Sequence, residues 1–459
     1  MAGHTTVLVL AAGHGTRMRS TLPKVLHPLC GRPMVEWAIE AARGAGAARI
    51  VCVVRSGDGV GDALPGDVEA VEQREGEGTG SAALAARSEL EGADTVVILS
   101  GDQPLISSEV VGEMLETHAG SEASATVLTT DRLDPAGYGR IVRAGDGSIE
   151  RIVETKRVEG VAPEVLGIRE INLGTYAFSG GQLLDALDAV GQEGGERYLT
   201  AVFPLLRERG RRISAQPTDD VSVAVGVNTR ADLMAAERLA RERLLEQHAR
   251  AGVTFTAPDS VAIEVGVEIG EDTTIETGVT LRAGARVGAR CSVGPHTTLL
   301  GATLGDGVSV PHSYLVECEV ADGASVGPFA YLRPGAVIGE GAKVGTFVEV
   351  KNSEIGAGAK VPHLSYIGDA DVGEGANVAA GNITANYDGR RKHRTVIGKN
   401  VKTGVDTSFV APVRVGDSAY TGAGSVITDD VPDGALGIAR SRQQNVEGYS
   451  ERVEEDEAE

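Results

Sequence analysis

Aromatic residues are scarce in this sequence: Phe, Tyr and Trp make up 3% of the chain, with a single tryptophan. Packing is therefore left to small and aliphatic side chains, and 62 glycines point the same way, to regular stacked layers rather than an irregular core. Cysteine is also sparse. Cys30, Cys52, Cys291 and Cys318 lie far apart with no CxxC pair, which speaks against a disulfide framework and reads as reduced thiols in a cytoplasmic protein. Positive charge is in deficit, with 43 Lys and Arg against 65 Asp and Glu and a net charge of −22. Sequence-blind nucleic-acid binding needs the opposite balance, so no nucleic-acid partner is expected, and an anionic substrate must meet a local basic pocket. Long apolar runs are missing too. VLVLAA (7–12) is too short for a membrane span and has no basic segment before it, so it reads as a buried strand, with neither a membrane partner nor a secretory leader expected.

At 459 residues the chain exceeds one ordinary core, and two or three domains are expected. From Thr5 to about Asn228, short aliphatic runs (TVLVLAAG, RIVCVV, TVVILSGD) alternate with helix-like segments (MVEWAIEAARGAG, SAALAARSEL). Buried strands joined by amphipathic crossovers imply a mainly parallel α/β sheet covered by helices, with ligands at the carboxyl ends of its strands. NTRADLMAAERLARERLLEQHARAG (228–252) is rich in helix formers and reads as a connecting helix with an Asn or Thr cap.

Beyond about residue 260 aliphatic residues recur every sixth position: Ile269, Ile275, Leu281, Val287, Val293 and Leu299, then Leu304, Val310 and Val316. The rhythm continues through Val320, Val326, Leu332, Ile338, Val344, Val350, Ile355, Val361, Ile367, Val372 and Val378. A sustained period of six is the mark of a parallel β-helix of triangular coils; roughly eight or nine coils of about 18 residues make a prism about 40 Å long. The beat stops at VAAGNITANYD (378–388), followed by the basic run GRRKHR (389–394), and returns at Ile397, Phe409, Val415 and Ile427 with threonines at 403 and 421. The expected organisation is an α/β domain at 1–228, a linker helix at 229–252, a prism at 253–445 with a loop inserted at 379–396, and an acidic, disordered tail at 446–459.

LAAGHGTRM (10–18) follows the first strand directly, with Pro23-Lys24 shortly after. Glycines let a backbone approach phosphates, exposed amides bind anions, and Arg17 and Lys24 add fixed charge; taken alone, the glycines would equally suit a plain turn. The whole pattern resembles the signature of sugar-1-phosphate nucleotidyltransferases, which have a Rossmann-like fold, and the resemblance covers about the first 228 residues. Within that group the chain is similar to the bacterial bifunctional uridylyltransferase/acetyltransferases. The resemblance implies that Leu10, Ala11, Ala12, Gly13 and Lys24 meet UTP and that Gln73, Gly78 and Thr79 read uracil. It implies further that Gly139, Glu154 and Asn172 hold N-acetylglucosamine, that Asp102 and Asn228 ligate Mg²⁺, and that Arg17 and Lys24 are catalytic. A turn residue at Asp102 and a helix cap at Asn228 are the plainer alternatives.

Polar residues interrupt the prism at Arg333, Lys351, His363, Tyr366, Asn377, Asn386 and Tyr387. Arg333 and Lys351 are one coil apart and should stack as a two-cation anion site. PHLSYIGD and GNITANYDG resemble the acetyltransferase half of the same bifunctional family, whose prisms are left-handed parallel β-helices of hexapeptide repeats associating as homotrimers with the site between subunits. The resemblance makes His363 the general base, a role suited to imidazole, which titrates near neutrality. It has Arg333, Lys351, Tyr366, Asn377 and Asn386 hold glucosamine 1-phosphate, and it has Ala380, Asn386, Tyr387, Ala423 and Arg440 contact acetyl-CoA. Val405 stands where the family often has a serine, so that contact to the cofactor is missing or supplied by backbone. A prism face is flat, and the inserted loop would wall the site. The expected function is acetyl transfer to glucosamine 1-phosphate followed by uridylyl transfer from UTP. A nucleotidyltransferase with a purely structural or regulatory prism and a non-catalytic assembly subunit are the rivals.

Overall fold

The computed structural model describes residues 4–145, 147–155, 159–192 and 196–456, and the chain divides into two compact units, Met1–Glu242 and Arg243–Glu459. The division falls inside one helix, Arg230–Arg250, rather than at either end of it.

In the first unit the sheet runs in the order Ile213–Pro217, Ala125–Thr130, Ile171–Ser179, Thr95–Ser100, Thr5–Leu10, Arg49–Arg55, Glu69–Gln73. Thr5–Leu10 is central and parallel to both neighbours, so Val7, Leu8 and Val9 are buried from both faces, which is why that segment reads as an unbroken aliphatic run. Leu10 pairs across from Ser100, so the chain leaves these two strands side by side, at the edge where parallel sheets bind ligands. Antiparallel pairing enters with the hairpin of Arg140–Arg143 and Ile149–Val153 and with Ile171–Ser179, which is antiparallel to all three of its neighbours, Thr95–Ser100, Ala125–Thr130 and Arg140–Arg143. Because it runs the other way, its first residues arrive at the edge where the parallel strands end. Tyr176, Phe178 and Phe203 gather a large share of the few rings into the core, with centroids 5.5–5.9 Å apart.

The second unit is a parallel β-helix whose three faces carry stacks of seven, ten and nine strands. Inward aliphatics lie in register from coil to coil, as in Leu281 over Leu299 and Val350 over Ile367. Each coil therefore buries its ladder only against the coils above and below. Four details correct the sequence reading. The longest face has ten strands, since the stack already begins at Ala262–Ile263, ahead of the first counted beat. At the shortened coil Leu315, not Val316, takes the inward position. The excursion expected at 379–396 is narrower, because Ile383–Ala385 and Thr395–Ile397 remain in the prism and only 386–394 leaves it. Thr384 is fully buried there, satisfying its hydroxyl by hydrogen bonds with Gly368, a solution that a search for aliphatics passes over. Finally, the tail expected to be disordered carries a helix at Tyr449–Asp456, in keeping with its Glu and Arg content, while residues 457–459 lie outside the described residues.

No helix among the described residues is long and apolar enough to cross a membrane, and all four cysteines are buried.

Candidate active sites

In the first unit the loop after Thr5–Leu10 turns through Gly15, whose φ of +61° lies in the left-handed region. A Cβ there would come within 2.7 Å of the Lys24 Cβ, so the loop closes over Lys24 only because residue 15 is glycine. Gly13, by contrast, faces open space. Lys24 is nearly buried, and its Nζ donates to Asp102 Oδ2 at 2.5 Å and to Asn228 Oδ1 at 3.1 Å. Arg17 donates to the same Asn228 oxygen at 2.9 Å. Four of the sequence-predicted residues thus converge, with two cations facing two oxygen donors.

The plainer reading of Asn228 as the helix cap is answered by its neighbour. The Thr229 hydroxyl accepts from the Asp232 N–H at 3.2 Å, and Asp232 Oδ2 accepts in return from the N–H groups of Asn228 and Thr229. This reciprocal capping box leaves the Asn228 side chain free for the site. Burial alone would raise the Asp232 carboxyl, but those two N–H donors hold it below its ordinary value.

Asn172 arrives on the antiparallel strand and contacts Gly139: its N–H donates to the Gly139 carbonyl at 2.9 Å, while its side-chain amide donates to the Tyr176 hydroxyl at 2.8 Å. Glu154 Oε1 accepts from Thr200 at 3.4 Å on the exposed side. Gln73 donates to the Gly76 carbonyl, and Gly78 has a φ of +93° where a Cβ would strike the Arg197 carbonyl. The Thr79 hydroxyl accepts from the Leu199 N–H. Ala12, Arg55, Gln73, Gly76 and Glu77 line one cleft of about 390 Å³, joining the first loop to the Gln73–Thr79 loop. Gly15→Ala should lower nucleotidyl transfer by about tenfold by displacing Lys24, with folding preserved; a fully active variant would show that the turn does not position the lysine.

Asp102 and Asn228 offer only hard oxygen donors, and both already contact one positive centre, the Lys24 ammonium. That donor set suits a Mg²⁺ held mostly by substrate and water. Among the described residues no group of three or more His, Cys, Asp or Glu could hold a metal.

In the second unit Arg333 and Lys351 do lie one coil apart at one edge of the ten-strand face, but each has a carboxylate partner. Arg333 pairs with Glu349 Oε1 at 2.8 Å and Lys351 with Asp369 Oδ2 at 3.3 Å. Asp369 is buried and also accepts from Asn352 at 2.6 Å and from Asn386. Burial would raise its carboxyl, yet these donors hold it below its ordinary value. Asn386 also reaches the Tyr366 hydroxyl at 3.5 Å. Four members of this cluster were not singled out from the sequence, Glu349, Asn352, Asp369 and Lys392. Contact with the Lys392 amine, and then Asp369, raises the Lys351 pKa, while Lys351 depresses Lys392. The signal for Lys392 was present in the run GRRKHR, but which of its cations turns inward depends on the loop. That loop is an ordered turn. Asp388 Oδ1 accepts from the N–H groups of Arg391 and Arg390, Oδ2 contacts His393 at 2.7 Å, and the carboxyl is held down at about 2.

His363 is exposed at the end of Lys360–His363, on the corner at the opposite edge of the ten-strand face from this cluster. The intervening strand Tyr366–Gly368 spans roughly 10 Å. Asn377 is not with the cluster either: it bridges Lys360 and Lys402 on the seven-strand face. Ala380, Val405 and Ala423 follow one another up the His363 corner, through hydrogen bonds from Asp406 N–H to the Ala380 carbonyl and from Gly424 N–H to the Val405 carbonyl. The Arg440 side chain lies near Gly424, and Tyr387 stands exposed on the loop.

Two family models match the chain: the MobA-like NTP transferase domain over residues 7–208 and the bacterial transferase hexapeptide (six repeats) over residues 266–301. Relatives span nearly the whole length. The bifunctional protein GlmU of Mycobacterium bovis is 44% identical over 98% of this chain and 93% of its own. The proteins of that name from Shouchella clausii and Listeria monocytogenes are 43% and 42% identical, over 98% and 97% of this chain and 99% and 98% of theirs.

Proposed function

The chain belongs to the bifunctional GlmU family, and from that premise we propose how its two units divide the work. It is a bifunctional enzyme of UDP-N-acetylglucosamine synthesis, moving acetyl from acetyl-CoA to glucosamine 1-phosphate and uridylyl from UTP to N-acetylglucosamine 1-phosphate with release of pyrophosphate. The observation that carries the division is that each unit holds its own cationic cluster, Arg17 with Lys24 in one and Arg333 with Lys351 in the other.

In uridylyl transfer, Gln73, Gly78 and Thr79 hold uracil at one end of the cleft. Gly139, Glu154 and Asn172 hold the sugar, with Leu10, Ala11, Ala12 and Gly13 lining the path of the phosphates. The sugar phosphate attacks the α-phosphorus of UTP, and Arg17 and Lys24 balance the charge on the departing pyrophosphate. Phosphoryl transfer asks for this kind of positioning and neutralisation more than for a base. Asp102 and Asn228 would hold Mg²⁺, which supplies further neutralisation of the triphosphate. Excess EDTA should therefore abolish uridylyl transfer and leave acetyl transfer unchanged; uridylyl transfer that survives chelation would remove the metal from this reading.

In acetyl transfer, His363 accepts a proton from the substrate amine as it attacks the thioester carbonyl, and coenzyme A leaves. Arg333, Lys351, Lys392, Tyr366 and Asn386 hold the sugar phosphate, while Ala380, Tyr387, Ala423 and Arg440 carry the cofactor. Within one chain the imidazole stands at the opposite edge of the ten-strand face from Arg333 and Lys351. A homotrimer that seats the His363 corner of one copy against the cationic edge of the next completes the site. We place the enzyme in the cytoplasm, where its buried thiols remain reduced. Assaying both half-reactions on the full chain tests the reading, with sedimentation in parallel; a fully active acetylating monomer would overturn the shared site.

A further inference from the structure

A cavity of about 710 Å³ opens in the first unit beside Ile213–Pro217, the edge strand of the sheet. It shares no lining residue with the cleft at Gln73. Arg143, Arg207, Arg211 and Arg212 line it, together with Gly147 and Ser148, and no carboxylate is among its lining residues that the structure describes. In a chain of net charge −22, four guanidinium groups around one volume are a local reversal of sign. Arg211 and Arg212 are exposed and form no ion pair among the described residues. The volume is that of a small-molecule site, and arginine forks suit phosphate oxygens in pairs.

The position of the cavity matters as much as its charge. Arg143 closes the strand Arg140–Arg143, which begins directly after Gly139, and its hairpin partner Ile149–Val153 runs directly into Glu154. Arg143 also grips Glu170 with two hydrogen bonds of 2.8 and 2.7 Å, and Glu170 immediately precedes Ile171 and Asn172. The cavity therefore sits at the far end of a hairpin whose near end carries Gly139 and Glu154, two of the three residues assigned to the sugar; the third, Asn172, lies on the neighbouring strand Ile171–Ser179. An anion in the cavity would compete with Glu170 for Arg143, and that exchange would act on the hairpin and on the strand bearing Asn172.

We propose that this cavity binds a small, multiply charged phosphate compound and that its occupancy retunes binding of the sugar phosphate; the second half of this statement rests on the function proposed above. An added acidic strand is the competing occupant, since Ile213–Pro217 is an edge. The edge is only five residues long, ends in proline and is preceded by exposed arginines, all of which blunt strand addition.

The probe is inorganic tripolyphosphate, titrated calorimetrically into the full-length protein without magnesium. Binding should persist in Lys24→Ala, which weakens the active site, and one component should be lost in the double variant Arg211→Ala/Arg212→Ala. In the uridylyl assay with magnesium in excess, competition against UTP reports the active site and should be the same in parent and double variant. A shift of about fivefold or more in KM for N-acetylglucosamine 1-phosphate should appear only where the arginines are intact. Equal binding by the double variant overturns the site, as does a glutamate-rich peptide that binds where tripolyphosphate does not. Loss of binding with no change in that KM overturns the coupling and upholds the anion site. An enzyme inactive without any anion would instead fault the function itself, and the anion-free control separates that case.

Discussion

His363→Ala is expected to cut acetyl transfer by about 10²–10⁴-fold, the usual worth of a general base. The side chain is exposed at the prism corner, while the inward residue of its strand is Val361, fully buried. The substitution therefore removes an imidazole without opening a cavity, and melting temperature and oligomeric state should not change. Uridylyl transfer belongs to the other unit and should proceed at the parent rate. A variant that keeps the parent rate would make His363 a surface residue of the corner.

Asp102→Ala should lower uridylyl transfer by about 10²–10³-fold and spare acetylation. Two losses combine in this variant. One of the two proposed magnesium oxygens disappears, and the Lys24 ammonium, which is nearly buried, is left with Asn228 as its side-chain partner. A lysine no longer held at 2.5 Å by a carboxylate is free to swing from the phosphate path. Asp102→Asn separates the two effects, since it keeps an oxygen near Lys24 while discarding the charge. Equal loss of both activities in a folded Asp102→Ala protein would contradict the division of labour between units.

Much of this architecture is legible in the residue order, for reasons that also explain what is not. The aliphatic beat is visible because every sixth side chain must fill the same prism axis, and Arg333 and Lys351 fall one coil apart because coil length is nearly constant. Legibility ends where hydrogen bonds replace hydrophobic burial. Thr384 occupies an inward position as a polar residue, so the ladder looked broken where it continues. Leu315 and Val316 are adjacent and equally apolar, and only coil-to-coil pairing decides between them. In the α/β unit, strand direction leaves no mark on a buried run such as INLGTYAFS, so the antiparallel turn that delivers Asn172 to Gly139 emerges only in the folded sheet. The same holds for Lys392 and Asp369, whose partnership is made by the path of a loop.

That loop has one further consequence. Ala370–Val372 pairs directly with Thr395–Ile397, and Ile383–Ala385 pairs with Ser408–Val410, so the ladder is continuous beneath residues 386–394. The excursion is a bypass that carries chemistry but no stacking. A protease that cuts it would sever the polypeptide without unseating either piece: two chains on a denaturing gel, one particle in the ultracentrifuge, and an enzyme that still makes nucleotide sugar but no longer acetylates.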